Sequence, residues 1–173
     1  MSNWGCYDLD YLLGITGWSI MPQRVLAQMW TVPPKFEALA AAGSDAETHL
    51  AATIQCGGKI AIHYERGEFV AARNEAAWQI VGSEGSLDLE MTPGSKKVVF
   101  NRASSEQGLI SETLWEGDDD PAIGHKSPVL DFAAAVRGEH SPKTGLEQAL
   151  VVQRITDAIY RSADTGQAVE IGK

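Results

Sequence analysis

Near the start of the chain, apolar residues recur at spacings of three and four. Cys6, Leu9, Leu12 and Leu13 form the set and Gly17 follows as a stop, so the pattern predicts a helix over Gly5–Thr16. Asn3 stands where an N-cap would accept from the open N–H groups of the first turn. The pattern then becomes strand-like: Arg24–Val32 reads as a strand that Pro33-Pro34 terminates. Lys35–Asp45 is Ala-rich and then turn-like, which suits a short helix or a loop. Thr48–Cys56 and Ile60–Arg66 flank Gly57-Gly58-Lys59 and predict a hairpin. Its register follows from which pairing yields one apolar face. A two-residue loop sets Ile54 against Ala61 and His63 against Ala52, mixing polar and apolar positions. A three-residue loop sets Cys56 against Ile60, Ile54 against Ile62 and Ala52 against Tyr64. It leaves Gln55, Thr53 and His49 beside His63 and Glu65 on the other face. The three-residue loop, with a glycine in the left-handed conformation, is the expectation.

Four more strands are expected at Ala77–Gly82, Ser86–Met91, Lys97–Phe100 and Ile110–Trp115. Turns at Gly82–Gly85 and Pro93-Gly94 separate the earlier ones. Asp118–Pro121 reads as a solvated acidic loop. The last third turns helical. Ser127-Pro128 is an N-cap with proline at the first helical position, followed by Leu130, Ala133, Ala134 and Val136, with Gly138 at the stop. Thr144-Gly145-Leu146-Glu147 reads as a capping box opening a long helix whose stripe is Leu146, Ala149, Leu150, Ile155 and Ile159. Gly166 ends it, and Gln167–Ile171 is a short terminal strand. Strands grouped between helices predict an α+β fold: an open, mostly antiparallel sheet with helices on one face.

Length and charge narrow the function classes. A chain of 173 residues with 44% hydrophobic and 21% charged residues suits one domain with a sizeable core, residues 1–173. The net charge of −9 argues against a nucleic-acid groove, since the densest basic spot is Lys96-Lys97. No apolar run is long enough to span a membrane, and the first ten residues lack the charged and apolar regions of a secretory signal. Cys6 and Cys56 do not make a disulfide scaffold, so reduced thiols and a cytoplasmic location are expected.

Most catalytic signatures are missing. The sequence has no Gly-x-Gly-x-x-Gly, P-loop or Gly-x-Ser-x-Gly, and its four histidines show no metal spacing, so no metal is expected. His49 and His63 share a predicted sheet face, where they read as surface histidines. Cys6 on the apolar stripe reads as a buried structural thiol. One constellation is sharper: Asn3, Tyr7 and Asp10 stand at steps of four and three on one face of the first helix. A phenol beside carboxylates there can donate a proton to a carbonyl or alkoxide.

Three stretches resemble the C-terminal domain of the glucose–fructose oxidoreductase and inositol dehydrogenase family, which is NAD(P)-dependent. Asn3–Trp18 resembles that family's helix with the pattern Asp-x-Gly-x-His-x-x-Asp. Trp78–Leu89 resembles its Ile-x-Gly-x-x-Gly-x-Leu hairpin, and Val129–Ile171 resembles its long closing segment of two helices. The resemblance implies an open antiparallel sheet used for dimerisation, and hydride transfer between nicotinamide and a sugar, polyol or related carbonyl compound. It places Tyr7 where the family's proton-transferring His stands, Asn3 where the leading Asp stands and Asp10 on the trailing Asp. Asn3 cannot act as a carboxylate, whereas Tyr7 keeps a general acid available. His63, Arg66 and Arg73 are weaker candidates for contacting substrate.

The family's N-terminal Rossmann domain, with its glycine-rich loop, has no counterpart in these residues. An isolated substrate-side domain is therefore expected, inactive alone, with NAD or NADP implied only by the family and none expected to bind this chain by itself. The expected partners are a second copy through the sheet face, the missing Rossmann domain and a small sugar-like molecule, but no nucleic acid and no membrane. A non-enzymatic scaffold or small-ligand-binding module on the same fold is the alternative.

Overall fold

The computed structural model describes residues 5–70, 78–89, 95–118 and 126–172. The chain divides into two compact units, one of residues 1–71 and 140–173 and the other of residues 72–139. All the pairings between strands are antiparallel, in open sheets accompanied by helices, so the α+β expectation holds.

The first unit opens with helix α1 (Gly5–Ile15), which buries Gly5, Leu9 and Leu13. Strands β1 (Pro22–Thr31), β2 (Glu47–Cys56) and β3 (Ala61–Gly67) follow, with a short 3-10 turn at Pro34–Leu39. Helix α3 (Leu146–Thr165) and strand β8 (Val169–Glu170) complete the unit, and the sheet order is β3-β2-β1-β8. The first hairpin has the expected register: Ile54 pairs with Ile62, Ala52 with Tyr64, and the Cys56 N–H donates to the Ile60 carbonyl at 2.8 Å. Its three-residue loop holds Gly58 at φ 71°, and Lys59 also turns left-handed at φ 64°.

Strand alternation then sorts the sheet into two faces. Val25, Ala27, Leu50, Ile54 and Ile62 point inward and join Leu9, Leu13, Val152, Ile155, Ala158 and Ile159 in one core. Helix α3 packs on β1, and α1 packs on α3. Each such Leu or Ile stabilises the fold by about 1.5–3 kcal/mol relative to exposure. Ser162 is fully buried; its hydroxyl accepts from the Ala27 N–H at 2.9 Å and donates to the Gln167 carbonyl at 2.7 Å. It thereby satisfies a β1 donor beyond the pairing with β8, which involves only Arg24 and Val25.

Two features of the long helix differ from expectation. Its cap is Gly145, whose N–H donates to Gln148 Oε1 at 2.8 Å, while the Thr144 hydroxyl donates to Asp10 Oδ1 instead. The helix starts one residue later than expected, so the third residue after the cap is Gln148 and not Glu147. The buried stripe is Val152, Ile155, Ile159 and Ser162, with Leu146 85% and Leu150 48% exposed. At about 100° per residue, nine residues turn Leu146 roughly 180° away from Ile155.

The second unit contains strands β4 (Gln79–Val81), β5 (Ser86–Leu89), β6 (Ser95–Ser104) and β7 (Gly108–Asp118), paired in that order, and helix α2 (Lys126–Val136). β6 and β7 extend beyond the expected strands because polar residues such as Asn101 and Arg102 in β6 and Glu116 in β7 continue the ladder. The Gly82–Gly85 turn closes with the Gly82 N–H on the Gly85 carbonyl at 2.8 Å. Most of the acidic loop lies outside the described residues. Among the described residues, no helix is long and apolar enough to cross a membrane.

Candidate functional site

Helix α1 carries the sharpest chemistry in the sequence, and its polar residues divide by direction. Tyr7 is 66% exposed. Asp10 accepts a hydrogen bond from the Thr144 hydroxyl at 2.9 Å, which ties α1 to the segment entering α3. Asp8 sits between them in sequence and turns inward, its side chain only 14% exposed. It accepts from the Tyr64 hydroxyl at 2.8 Å and from Arg66 Nη1 at 3.1 Å. Tyr64 and Arg66 occupy core-facing positions of β3, where Tyr64 pairs with Ala52 and Arg66 with Leu50.

The electrostatics of this cluster agree with its hydrogen bonding. Burial pushes the Tyr64 phenol well above its ordinary range. The hydrogen bond to Asp8 and the Asp8 charge push the same way, and Arg66 opposes them. Tyr64 is therefore a donor that keeps its proton. The Asp8 carboxylate, taken out of water, receives one neutral and one charged donor.

The structure separates the weaker candidates. His63 lies on the outer sheet face, its Nδ1 3.3 Å from the Thr53 hydroxyl. Beside it, His49 Nε2 lies 2.9 Å from Glu65 Oε1. Arg66 is three residues along β3 from His63 and so points to the opposite face. His63 and Arg66 do not converge on one ligand. Asn3 and Arg73 lie outside the described residues. Cys6 is half-buried at the edge of the core, and Cys56 is fully within it. Among the described residues, no cluster of three His, Cys, Asp or Glu side chains could hold a metal ion.

Sequence reasoning passed over Asp8 and Tyr64. A signal existed: a Tyr and an Arg alternate on the apolar face of β3, where buried polar groups require partners. Which residue answers them lay 56 and 58 positions away.

Residues 1–171 match the family described as "Oxidoreductase family, C-terminal alpha/beta domain". This chain belongs to that family. It is 42% identical over 63 residues to D-xylose 1-dehydrogenase (NADP(+)) 2 of Haloferax volcanii, a match covering 36% of this chain and 18% of that protein. Its fold resembles an aldose-aldose oxidoreductase from Caulobacter crescentus complexed with glycerol, with a TM-score of 0.71 at 15% identity. That match covers 96% of this chain and 45% of the other. It also resembles an NAD-binding protein from Listeria innocua, with a TM-score of 0.68 at 20% identity, covering 97% of this chain and 46% of that one. The chain thus spans about half the length of these solved structures.

The resemblance to an NAD(P)-dependent oxidoreductase family raises the question of whether the described residues suit a dinucleotide. A pyrophosphate needs open N–H groups at a helix N-terminus reached from a strand through a glycine-rich turn. In the described residues β1 runs into Pro33-Pro34, and the cap N–H of α3 is already bonded to Gln148. Neither of these two places fits a dinucleotide pyrophosphate.

Proposed function

We propose that this domain is the substrate-binding and dimerisation part of an NAD(P)-dependent oxidoreductase acting on a sugar, polyol or related carbonyl compound, and that it is inactive alone. Tyr7 is its proton donor and acceptor. The observation that carries the reading is the exposed Tyr7 phenol on a helix whose neighbouring carboxylate, Asp8, is held inward by β3. Reducing a carbonyl takes a hydride at carbon and a proton at oxygen, and a phenol can supply the proton. The names of the relatives, a xylose dehydrogenase and an aldose-aldose oxidoreductase, support a sugar-like substrate. The second copy would lie on the outer face of the β3-β2-β1-β8 sheet, where Leu26 and Trp30 are 53% and 47% exposed among polar neighbours.

The test is turnover of nicotinamide with a panel of aldoses and polyols. The chain alone should give none, and turnover by it would overturn the claim of inactivity. In an enzyme completed by a nucleotide-binding half, activity is expected, and Tyr7→Phe should lower kcat by roughly 10²–10⁴-fold. A Tyr7→Phe enzyme with unchanged kcat removes Tyr7 from the chemistry. A completed protein that binds sugar but never turns over nicotinamide favours the binding-module reading. Sedimentation of a monomer at high protein concentration would count against the dimer.

A further inference from the structure

Burial of Leu9 and Leu13 presses α1 into the core, but apolar contact has no direction. Those contacts fix which face of the helix lies inward, but they leave its fine angle about the axis weakly specified. Hydrogen bonds are directional, weakening steeply as their angle closes. On α1 two carboxylates supply the direction. Asp8 is clamped by Tyr64 Oη at 2.8 Å and Arg66 Nη1 at 3.1 Å, and Asp10 receives the Thr144 hydroxyl at 2.9 Å. The first ties the helix to the edge strand β3, the second to the entry of α3. Together they set its rotation from two sides.

That rotation decides where Tyr7 points. Tyr7 lies in the first turn of the helix, at the end where a short helix is least held by its own ladder. A helix of 11 residues is marginal on its own. Replacing a partly buried ion pair, here with Arg66 38% and Asp8 14% exposed, by apolar side chains is often neutral for stability, so stability alone does not account for Asp8 and Arg66 in this place. We propose that Asp8, clamped by Tyr64 and Arg66 and assisted by the Asp10–Thr144 bond, is the positioning residue that fixes the direction of the Tyr7 phenol. The inference rests on the reading of Tyr7 as the proton donor, for which a misplacement of about 1 Å can cost on the order of 10²-fold in rate.

The test has two independent readouts. In the chain itself, the Tyr7 ring resonances and the amide exchange of Leu9–Leu12, whose N–H groups bond back to the first turn, are followed by NMR, with Ile155 in α3 as internal reference. Asp8→Ala should speed exchange in the first turns of α1 about tenfold and move the Tyr7 ring signals, leaving Ile155 unchanged. Asp8→Asn keeps the shape and one acceptor oxygen, so it should restore most of both. In the completed oxidoreductase, Asp8→Ala should lower kcat about tenfold or more with KM held. The ionisations governing the pH profile should stay in place, because the phenol itself is intact. Unmoved Tyr7 signals and exchange in Asp8→Ala overturn the proposal. If Asp8→Ala does not fold, Tyr64→Phe decides: it removes one hydroxyl and keeps the ring, and it must shift Tyr7 in the same sense by a smaller amount. Unchanged kcat in Tyr7→Phe defeats the catalytic reading of Tyr7, whereas the NMR result judges the clamp separately.

Discussion

The two units contain sheets of the same kind, four antiparallel strands each, yet they are held in different ways. In the first, Val25, Leu50 and Ile54 are at most 2% exposed under α1 and α3. In the second, the buried described residues are Leu89 and Asn101 alone. Its longest strands, β6 and β7, pair along almost their whole length, while Leu109, Leu114 and Trp115 remain exposed. Polar side chains also bridge its strands. Asn101 Nδ2 donates to Asp88 Oδ2 at 2.7 Å, and the Ser111 hydroxyl donates to Asn101 Oδ1 at 2.6 Å. A backbone ladder is thus no measure of a core. Ladder bonds replace bonds to water and contribute little net, whereas apolar burial supplies most of the stability.

Core truncation tests this contrast most severely. Ile155→Ala, at a fully buried position, should cost about 2–5 kcal/mol by chemical denaturation. Leu114→Ala, at a side chain 54% exposed in the second sheet, should stay within about 0.5 kcal/mol. Equal costs would break the comparison.

Gly85→Ala probes the second unit where it is tight. Gly85 has φ 153°, and a Cβ there would lie 2.3 Å from the Asn101 carbonyl oxygen and 2.8 Å from the Phe100 ring. The substitution should cost roughly 1–3 kcal/mol. Hydrogen exchange should place the loss in β5 and β6 and spare α3.

Alkaline pH sharpens the first unit's side of the comparison. Cys56 has its thiol raised above 9.0 by burial, and the Tyr64 phenol is raised above 10.0 by burial and by Asp8. Both groups hold their protons more firmly folded than unfolded. Their contribution is complete below the ordinary values and is lost as pH rises through the folded ones. Denaturation midpoints should therefore fall above about pH 9, and Tyr64→Phe should flatten the part that begins near 10.0. A midpoint constant to pH 11 would mean that neither group is protected.

The smallest effect is expected at the Arg24–Glu170 pair joining β1 to β8, whose side chains are 53% and 66% exposed. Arg24→Ala should change stability by at most about 1 kcal/mol, and less in high salt. A larger loss would show that the short strand β8 depends on charge rather than on Val169 and Ile171, which pack at the core edge.

Much of the first unit was legible in the sequence. The period of Cys6, Leu9 and Leu13 located α1, and face parity chose the register of the first hairpin. Grouping His63 with Arg66 as candidates for one substrate is a misreading, because three residues of strand reverse a side chain and put the two on opposite faces. The long helix shows the limit of such reading. Its apolar residues occupy more than one direction, and Leu146 and Leu150 fell on the exposed side. Only packing against β1 selects Ile155 and Ile159. Thr144 similarly had two plausible partners, the helix's own N–H groups and Asp10, and the register of the helix start decided between them.

The sequence by itself determined the helix and strand periods, the turn chemistry, the hairpin register and the resemblance that places the chain in an oxidoreductase family. Each depends on residues close together in the chain, where backbone geometry dictates which side chains share a face. The tertiary structure alone decided that Asp8 answers Tyr64 and Arg66, that Ser162 satisfies the Ala27 N–H, and that one sheet is covered by a core while the described residues of the other bury little. Those outcomes join groups tens to more than a hundred residues apart or depend on what covers a face. They are settled by the requirement that buried polar groups find partners once the apolar faces have closed.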